Sequence, residues 1–485
     1  MNEKYGEYKA LTKVGGGSFG NVYLAVKEGE NIGYSLKVME KEQIEKEDLD
    51  DFNQEIDILG KLSGSMYTPN LYDFRKYDEK NVNHDNPKEL ISLKKDDRPY
   101  YVTDFFSKSS LSYYITKMKN GFCEPHAKII FKKIIEGIKF CHDKKVCHLD
   151  IKPKNIVINK YFDPIIIDFG FSEEFNESTT FKKGKGSKCY ISPEMWEEKE
   201  YDGVKSDIFS LGVILFNLVT RSFGFCRSIV KDDYYKFIIE ADSSGNYENY
   251  WDSIKFITNK IKLSEDFKNL YTSMVAYDPK KRPTTKEILE SNWLKKLNDL
   301  SKEEREKLEN DVLNNLKNLY EEIKDSDLKI RISDNIIEEK KLATKGFNST
   351  NSNVYFESDV EPKYISKDRI NLNHFIEIIG DLPEVDFMND LANIIDEKLK
   401  NKMSFKSKEN LKLELFFEYD KNEIEKVEST MEIELLKYEK GDYLLEFLNT
   451  KGDIADYYEH FCEIKEIIKT DLFANCLDVD IKDKK

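Results

Sequence analysis

The sequence lacks the features that mark nucleic-acid-binding, secreted and membrane-spanning proteins. Its 485 residues carry 76 Lys and Arg against 92 Asp and Glu, so a basic face for nucleic acid is not expected. The start, MNEKYGEYKALTK, has no apolar signal region, and the longest apolar run, LGVILFNLV from Leu211, is too short to span a bilayer. The seven cysteines have no metal-ligand spacing, which favours reduced thiols. We therefore expect a cytoplasmic protein, with the nucleus as the alternative.

The net charge of −16 fits basic protein substrates or partners slightly better than acidic ones. In most proteins, however, an acidic balance serves solubility alone. No internal repeat is apparent, and the length of 485 residues suggests two or three domains.

The first part of the chain has the pattern of a small β-rich lobe followed by a larger helical lobe. Alternating apolar residues bounded by glycines predict strands up to about residue 40. The segment from Lys41 predicts an amphipathic helix. Its apolar stripe consists of Ile44, Phe52, Ile56 and Leu59. From about Ala127 to Leu297 the pattern is mostly helical, interrupted by short β-like runs such as NIVI and IIID.

A charged helix and a polar linker follow. Ser301 and Glu304 form a capping box, and the apolar positions after them share one helical face. These positions are Leu308, Val312, Leu316, Leu319 and Ile323. The pattern favours a helix packed on its own protein; a coiled coil or an autoregulatory helix is the alternative. The segment KGFNSTNSN, from Lys345, indicates a flexible linker.

The last region predicts a small α+β domain. A short helix is marked by Leu391, Ile394, Ile395 and Leu399. A strand is marked by the alternation of Leu411, Leu413, Leu415, Phe417 and Tyr419. MEIELL and YLLEFL predict two further strands, with a turn at Gly452-Asp453. A closing helix is marked by Ile454, Tyr457, Phe461, Ile464 and Ile468.

A glycine-rich segment near the start fits the pattern GxGxxGxV. It consists of Val14, Gly15, Gly16, Gly17, Ser18, Phe19, Gly20, Asn21 and Val22. Glycines let the backbone approach phosphates closely, with N–H groups facing them. Alone the pattern is weak, since a glycine-rich hairpin without a ligand is common. Its weight comes from the motifs that follow.

Lys37 ends the next strand pattern, SLKV, and Glu55 follows in the predicted helix. A lone lysine is usually a solvated charge. Paired with Glu55, however, Lys37 could hold the α and β phosphates of a nucleotide.

The strongest segment is HLDIKPKN, from His148, followed by the β-like run IVI. Asp150 and Asn155 have the spacing that lets a carboxylate receive a substrate hydroxyl proton while an amide binds metal. Asp168, in the later DFG, would bridge Mg²⁺ to the phosphates, because this hard cation prefers oxygen ligands. Lys152 would neutralise charge on the transferring group.

Taken in this order, these motifs resemble those of a eukaryotic protein kinase, from about Tyr8 to Leu297. Further landmarks match as well. They are Ser192-Pro193-Glu194, Arg282, Asp207, the gatekeeper position Thr103, and Asp104 at the start of the adenine-binding backbone. The resemblance implies a bilobal α+β fold that binds ATP and Mg²⁺ and phosphorylates proteins. Lys152, together with Ser187, implies serine or threonine specificity. A pseudokinase scaffold is the rival interpretation, and the intact motifs argue against it.

The chain departs from the family at the activation loop. Leu149 precedes Asp150 where most regulated kinases have arginine, and Lys183 occupies the usual phosphothreonine position. In the common arrangement, a phosphate on that threonine pairs with that arginine and orders the loop. Neither residue is present here, so we expect activity without loop phosphorylation. The alternative is phosphorylation of Thr179 or Thr180. Two smaller departures are Ser35, which replaces the alanine above adenine, and residues 77–98, which resemble an inserted polar loop.

The C-terminal region resembles the kinase-associated domain 1 of AMP-activated and calcineurin-B-like-interacting kinases. The resemblance rests on the element order and on ELLKYEKGDYLLEFLNTKGDIADYYEHF, although only three strands are clear where the family has four. Asn373-His374-Phe375 faintly resembles a docking motif of the second group. A local basic run suggests anionic lipid, or docking on the kinase lobes, with a solvated face as the bland alternative. That run is Lys398, Lys400, Lys402, Lys406, Lys408 and Lys412.

These predictions divide the chain into three parts: a kinase domain over residues 8–297, a charged helix and linker over 298–367, and a small regulatory α+β domain over 368–485. The expected partners are protein substrates, with a peripheral membrane or a regulatory subunit as a further contact of the last domain.

Overall fold

The computed structural model describes residues 3–324 with short gaps, and parts of the chain beyond them. The gaps are residues 18–19, 29, 31, 40–45, 77–97, 107, 119–120, 177, 183–185 and 259–260. The later described stretches are 363–364, 374–379, 384–399, 403–409, 412–421, 425–437, 443–451, 460–461, 463–464, 467–468 and 480–482. The predicted linker from Lys345, and all of the predicted inserted loop except Arg98, lie outside these residues.

The N-terminal lobe is an antiparallel sheet with one helix against it. Its strands are β1 (Lys4–Tyr5), β2 (Tyr8–Gly17), β3 (Gly20–Lys27), β4 (Gly33–Val38), β5 (Leu71–Arg75) and β6 (Tyr100–Asp104), in the spatial order β1-β2-β3-β4-β6-β5. Helix α1 (Lys46–Leu62) buries the predicted stripe at Phe52, Ile56 and Leu59, while Ile44 lies outside the described residues. The predicted strands and helix of this lobe are confirmed.

The C-terminal lobe is helical. Its helices are α2 (Leu111–Lys117), α3 (Glu124–Asp143), α4 (Pro193–Trp196), α5 (Gly203–Thr220), α6 (Tyr235–Ser244), α7 (Glu248–Ser253), α8 (Lys255–Thr258), α9 (Glu265–Met274), α10 (Thr285–Leu289) and α11 (Asn292–Lys295). The apolar α5 has the length and composition of a membrane span, but 89% of it is buried inside the protein, as in a core helix. The Asp202 carboxylate caps α5 by accepting from the Val204 and Lys205 N–H groups. The bilobal α+β fold class is thus confirmed.

Short strands bring the catalytic motifs to the face between the lobes. β7 (Val146–Cys147) pairs with β10 (Glu173–Glu174), and β8 (Ile156–Ile158) pairs with β9 (Pro164–Ile166). The HLDIKPKN segment therefore joins β7 to β8, and the DFG segment joins β9 to β10. The two segments therefore connect the same two strand pairs.

Helix α12 (Lys302–Lys324) packs against the C-terminal lobe. Its predicted apolar face is buried at Val312, Leu316 and Leu319. The Lys108 ammonium lies 3.9 Å from the centre of the Tyr320 ring, a cation–π contact that ties the helix to the segment after β6. The prediction of a helix packed on its own protein is confirmed.

The described C-terminal residues form a second sheet with one helix, α13 (Glu384–Leu399). Its strands are β11 (Lys363–Tyr364), β12 (His374–Ile379), β13 (Met403–Glu409), β14 (Lys412–Lys421), β15 (Glu425–Lys437), β16 (Tyr443–Lys451) and β17 (Asp480–Lys482). Their spatial order is β13-β14-β15-β16-β12-β17, with β11 on β15. The buried side of β14 carries Leu413, Leu415 and Phe417, as the predicted alternation requires.

The C-terminal sheet has more strands than the three that the sequence predicted. The sequence of β13, MSFKSKE, has few apolar positions and two lysines, a pattern that suits an edge strand but weakens the alternation signal. Of the predicted closing helix, Phe461, Ile464 and Ile468 are buried, while Ile454 and Tyr457 lie outside the described residues. Strand β15 lies close to β2, so the second sheet approaches the glycine-rich hairpin of the first lobe.

The cysteine prediction is only partly confirmed. Cys123, Cys141, Cys147 and Cys189 are free thiols. Cys226 is disulfide-bonded, so the expectation of reduced thiols throughout is wrong at that position.

Candidate active site

The loop that carries Asp150 is anchored from below by Asp207 on α5. One carboxylate oxygen of Asp207 accepts from the backbone N–H of His148 at 2.9 Å, and the other accepts from that of Leu149 at 2.9 Å. His142, on α3, contacts the first oxygen at 2.8 Å. Leu149 has a positive φ of 63°, a conformation that costs a residue other than glycine of order 1–3 kcal/mol. The buried Asp207 holds this strained turn in place.

The Asp150 carboxylate is held by three neighbours. Ser187 donates to one oxygen from its backbone N–H at 3.1 Å and from its hydroxyl at 3.2 Å. The Asn155 amide donates to the other oxygen at 3.0 Å. The Lys152 ammonium lies 3.0 Å from that same oxygen and donates to the Ser187 hydroxyl at 2.8 Å. The structure thus gathers three residues that the sequence had singled out around the carboxylate of a fourth.

Asn155 is oriented by its own amide nitrogen. That nitrogen donates both to the Asp150 backbone oxygen at 2.9 Å and to the Asp150 side chain. The amide oxygen is thereby turned to the opposite side, where it can serve as a cation ligand. The 3₁₀ turn Pro153–Asn155 buries Asn155 and fixes this orientation.

Lys37 on β4 and Glu55 on α1 form a buried ion pair. The Lys37 ammonium lies 3.0 and 2.8 Å from the two oxygens of Glu55. Burial alone would lower the pKa of Lys37, but the negative charges of Glu55 and Asp168 outweigh it and raise the pKa, so the ammonium stays charged. The Tyr101 hydroxyl donates to Glu55 at 2.8 Å. The sequence analysis did not predict this role for Tyr101. The only indication in the sequence was a hydroxyl-bearing side chain in an otherwise apolar strand.

Asp168 faces Lys37 across the cleft, with 3.8 Å between its carboxylate and the ammonium. Its side chain is 38% exposed, whereas Phe169 beside it is buried against the His148 ring. Burial would raise the pKa of Asp168, but the charges of Lys37 and Lys152 hold it below its ordinary value. The carboxylate is therefore ionised and available to a cation.

The glycine-rich segment forms the β2–β3 hairpin above these residues. Gly15 pairs with Val22 and Gly16 with Asn21. Gly20 has a φ of 153°, and a Cβ there would lie 2.3 Å from the Val38 carbonyl oxygen, so only glycine fits. Val14 is exposed, and Gly17 pairs with Gly20. Ser18 and Phe19 lie outside the described residues.

The hinge between the lobes follows β6. Thr103 pairs with Ser35 of β4, which places it at the back of the cleft. The Asp104 carboxylate accepts from the Asn70 backbone N–H at 2.7 Å and from the Tyr72 hydroxyl at 2.7 Å. These bonds fix the hinge backbone against the N-terminal lobe. Asp104 would therefore contribute to the adenine site by holding this backbone in place, not by its charge.

Helix α1 is tied to the segment that follows DFG. The Gln54 amide donates to the Ser172 carbonyl at 2.8 Å and to the Glu173 carboxylate at 3.1 Å. Sequence analysis missed Gln54 because its partners lie more than a hundred positions away. The contact couples the placement of Glu55 to that of Asp168.

The predicted landmark pair Glu194 and Arg282 is present. Two guanidinium nitrogens lie 2.6 and 2.7 Å from the two Glu194 oxygens, a bidentate pair in which Arg282 is almost fully buried. It fastens α4 to the 3₁₀ turn Pro279–Lys281. The segment that leads from DFG to α4 is therefore fixed at its C-terminal end.

An apolar cluster surrounds the residue before Asp150. Its buried members are Cys147, Leu149, Met195 and Tyr201, and Phe175, Phe181, Ile191 and Val204 pack against them. Phe181 and Tyr201 exchange backbone hydrogen bonds of 3.0 and 2.9 Å, and their rings lie 5.7 Å apart. Leu149 therefore shares one apolar cluster with Phe175 and Phe181 of the segment after DFG. Lys183 lies outside the described residues.

The donor set of the site suits Mg²⁺. Asp168 supplies a carboxylate and Asn155 an amide oxygen, and this cation commonly takes one or two protein oxygens together with phosphates. In the described part of the chain there is no group of three His, Cys, Asp or Glu residues that could hold a metal by itself. The arrangement fits a cation that arrives with its nucleotide.

Comparison with known proteins agrees with this geometry. Probable serine/threonine-protein kinase MARK-A of Dictyostelium discoideum is 30% identical over 291 residues, which cover 60% of this chain and 24% of that protein. Carbon catabolite-derepressing protein kinase of Candida tropicalis is 28% identical over 295 residues, covering 60% of this chain and 42% of that protein. The chain thus matches less than half of either relative. The family described as protein kinase domain matches residues 8–294, more than half of the chain, and the chain belongs to that family.

Proposed function

We propose that this chain is an ATP-dependent protein kinase that transfers the γ-phosphoryl group to serine or threonine hydroxyls of proteins. The observation that carries the proposal is the connected set of catalytic groups in one cleft. Lys37 is paired with Glu55, Asp168 faces them, and Asp150 is held by Asn155 and Ser187. A scaffold without catalysis would have no need to keep these groups charged and oriented.

Positioning and charge account for most of the catalysis in phosphoryl transfer. Lys37 would bind the α and β phosphates, and the backbone of the β2–β3 hairpin would cover them. Asp168 and Asn155 would hold Mg²⁺, which, when bound, neutralises charge on the phosphate oxygens. Asp150 would orient the substrate hydroxyl and accept its proton as the new oxygen–phosphorus bond forms and ADP leaves.

Two contacts support serine or threonine as the acceptor. The Lys152 ammonium lies within 3.0 Å of Asp150, where it can neutralise charge on the transferring group. The Ser187 hydroxyl bridges Lys152 and Asp150, so these three groups form one small polar unit. A short aliphatic hydroxyl is the acceptor that we assign to it.

The test is phosphotransfer by purified protein to a panel of basic and acidic protein substrates. Replacing the carboxylate in Asp150→Asn should lower the rate by about 10²–10⁴-fold, because it removes one positioned proton acceptor. The matched control is Asp252→Asn, an exposed acid on α7 whose ion pair joins it to Lys255. Wild-type-like transfer by the Asp150→Asn protein, or no transfer by the wild type, would contradict the proposal and favour the scaffold interpretation.

We further propose that residues 368–485 regulate or target the kinase, and that the protein is cytoplasmic. The proximity of β15 to β2 supports docking of this region near the glycine-rich hairpin. The lysines around β13 support contact with an anionic surface, although Lys412 already pairs with Glu432 at 2.5 Å. The resemblance to kinase-associated domain 1 remains part of this proposal.

A further inference from the structure

The chain that leaves the hinge is bonded to the C-terminal lobe just before α2. The Ser109 carbonyl accepts from the Ile158 N–H at 3.0 Å, and Ser110 forms a bridge with β8. At the other end of the hinge, the Asp104 carboxylate is bonded to the N-terminal lobe. The hinge is therefore a short connection with one fixed end on each lobe.

Lys108, at the C-terminal-lobe end of the hinge, contacts two aromatic rings. Its ammonium lies 3.9 Å from the centre of the Tyr320 ring of α12 and 4.5 Å from that of Phe162. The two rings lie 6.3 Å apart at an angle of 78°, an edge-to-face arrangement. A cation at these distances is attracted by the quadrupole of each ring. These three side chains form one contact, which we call the hinge clamp.

Phe162 connects the hinge clamp to the metal-binding side of the cleft. It lies in the turn between β8 and β9, which pair with each other. The other end of this hairpin carries Asn155, directly before β8, and Asp168, shortly after β9. The Ile167 N–H donates to the Asn155 carbonyl at 2.9 Å and holds that end together. The hinge clamp therefore contacts both the hinge and the hairpin that carries the two candidate Mg²⁺ ligands.

Helix α12 brings Tyr320 to the hinge clamp from outside the kinase domain. The helix packs against α2 and α3 and buries Val312 and Leu316. The Asn315 amide nitrogen lies 3.3 Å from the Nδ1 atom of His126 on α3. These contacts lie about one to two turns before Tyr320, so the helix is already fixed to the lobe where it reaches the hinge. The match to the kinase family ends at residue 294, before this helix begins.

We propose that Tyr320 is a positioning residue for ATP, which acts through Lys108 and Phe162 to hold the hinge and the β8–β9 hairpin in the geometry that binds the nucleotide. The inference rests on the proposed function, which supplies ATP as the ligand. In that function the hinge backbone binds adenine, while Asn155 and Asp168 hold Mg²⁺ at the phosphates. Both ends of the nucleotide therefore depend on segments that meet at the hinge clamp.

The experiment measures the Kd of Mg²⁺–ATP by calorimetry, and kcat and the KM for ATP by phosphotransfer, all with the full chain. Tyr320→Leu keeps an apolar side chain but removes the ring, and should raise Kd and KM about fivefold, the value of one partly buried cation–π contact. At saturating ATP, kcat should change by less than about twofold, because the lost contact affects binding and not the chemical step. Tyr320→Phe retains the ring and should keep the wild-type values.

The lysine of the hinge clamp gives an independent variant. Lys108→Met removes the charge and should raise Kd about as much as Tyr320→Leu does. The double variant Lys108→Met, Tyr320→Leu should bind no more weakly than the weaker single variant, because both changes remove the same contact.

The matched control is Tyr161→Leu, which removes an exposed ring from the same β8–β9 turn. That ring has its own lysine contact, with the Lys160 ammonium 5.0 Å from its centre. Leu308→Ala, at a partly buried position of α12, controls for general loosening of the helix. Both control variants should keep the wild-type Kd.

The outcomes separate the inference from the proposed function. An unchanged Kd in Tyr320→Leu, additive effects of the two hinge-clamp changes, or an equal rise of Kd in either control would overturn the inference and leave the proposed kinase activity standing. Wild-type protein that binds Mg²⁺–ATP but phosphorylates no protein of the basic and acidic panel would overturn the proposed function alone. Wild-type protein that binds no ATP would overturn both.

Discussion

The apolar cluster around Leu149 predicts that this kinase is active without phosphate on its activation loop. The change that tests it is Phe181→Ala, which removes the ring that packs against Tyr201. Truncating a fully buried phenylalanine costs about 3–5 kcal/mol, and Phe181 is only partly buried, so we expect about 2 kcal/mol. Since 1.4 kcal/mol is a factor of ten, the ordered loop would lose about 30-fold in population relative to the disordered one.

The assay is phosphotransfer at saturating ATP by the wild type, Phe181→Ala and the control Phe237→Ala. Phe237 is also partly buried, but it lies on α6, outside the cluster. We expect kcat to fall severalfold or more in Phe181→Ala and to change little in the control, while the melting temperatures of the two variants remain similar. Equal activity of the two variants would refute the packing explanation.

The hydroxyls of the loop give a second test of the same idea. The Thr180 hydroxyl lies 3.4 Å from the Glu200 carboxylate, so a phosphate there would meet a like charge. Ser178 and Thr179 are engaged in a turn with Asn176. The triple variant Ser178→Ala, Thr179→Ala, Thr180→Ala should keep wild-type activity, and so should phosphatase-treated wild type. A tenfold loss after either treatment, without unfolding, would show that the loop is a phospho-switch.

Three further predictions concern stability, pH and the C-terminal region. Arg282→Met should destabilise the kinase domain by about 3–5 kcal/mol, because it leaves Glu194 buried without its cation. The double variant with Glu194→Gln should recover part of this loss in thermal unfolding. Equal melting temperatures of the wild type and Arg282→Met would contradict the prediction. Lys37 and Lys152 lower the pKa of Asp168, so the charge of its carboxylate is fully present above the ordinary value of 3.8 and is lost only as pH falls through the lower folded value. The affinity for Mg²⁺–ATP should therefore show no loss attributable to Asp168 between about pH 8 and pH 5. A titration midpoint of this affinity inside that range, absent in Asp168→Asn, would contradict the prediction. Full-length protein should pellet with anionic liposomes more than with neutral ones, and less after charge reversal of Lys398 and Lys406; equal pelleting in both would remove the lipid proposal, while unchanged activity after deletion of residues 368–485 would remove docking.

The sequence alone determined which residues could perform the chemistry. Asp150, Lys152 and Asn155 lie within six positions, so their mutual approach follows from one loop between two short strands. The pairing of Lys37 with Glu55 was inferred from a lysine at the end of a strand pattern and an acid in the predicted helix that follows, and the structure confirms it. The order of these motifs was sufficient to predict the bilobal α+β fold.

The tertiary structure decided the contacts that no local period encodes. Ser187 meets Asp150 from 37 positions away and Tyr101 meets Glu55 from 46. The pairing of Arg282 with Glu194, from 88 positions away, was predicted only through the family resemblance. Hydrophobic periodicity indicates only which side of a helix or strand is buried. It does not indicate which distant element packs against that side. The strand β13 was missed because an edge strand with several lysines has few buried apolar residues, so its sequence shows little apolar alternation. Likewise, the sequence showed that Leu149 cannot bind a phosphate, but only the structure placed it in one apolar cluster with Phe181 and Tyr201, because that cluster draws on segments whose proximity is created by the fold.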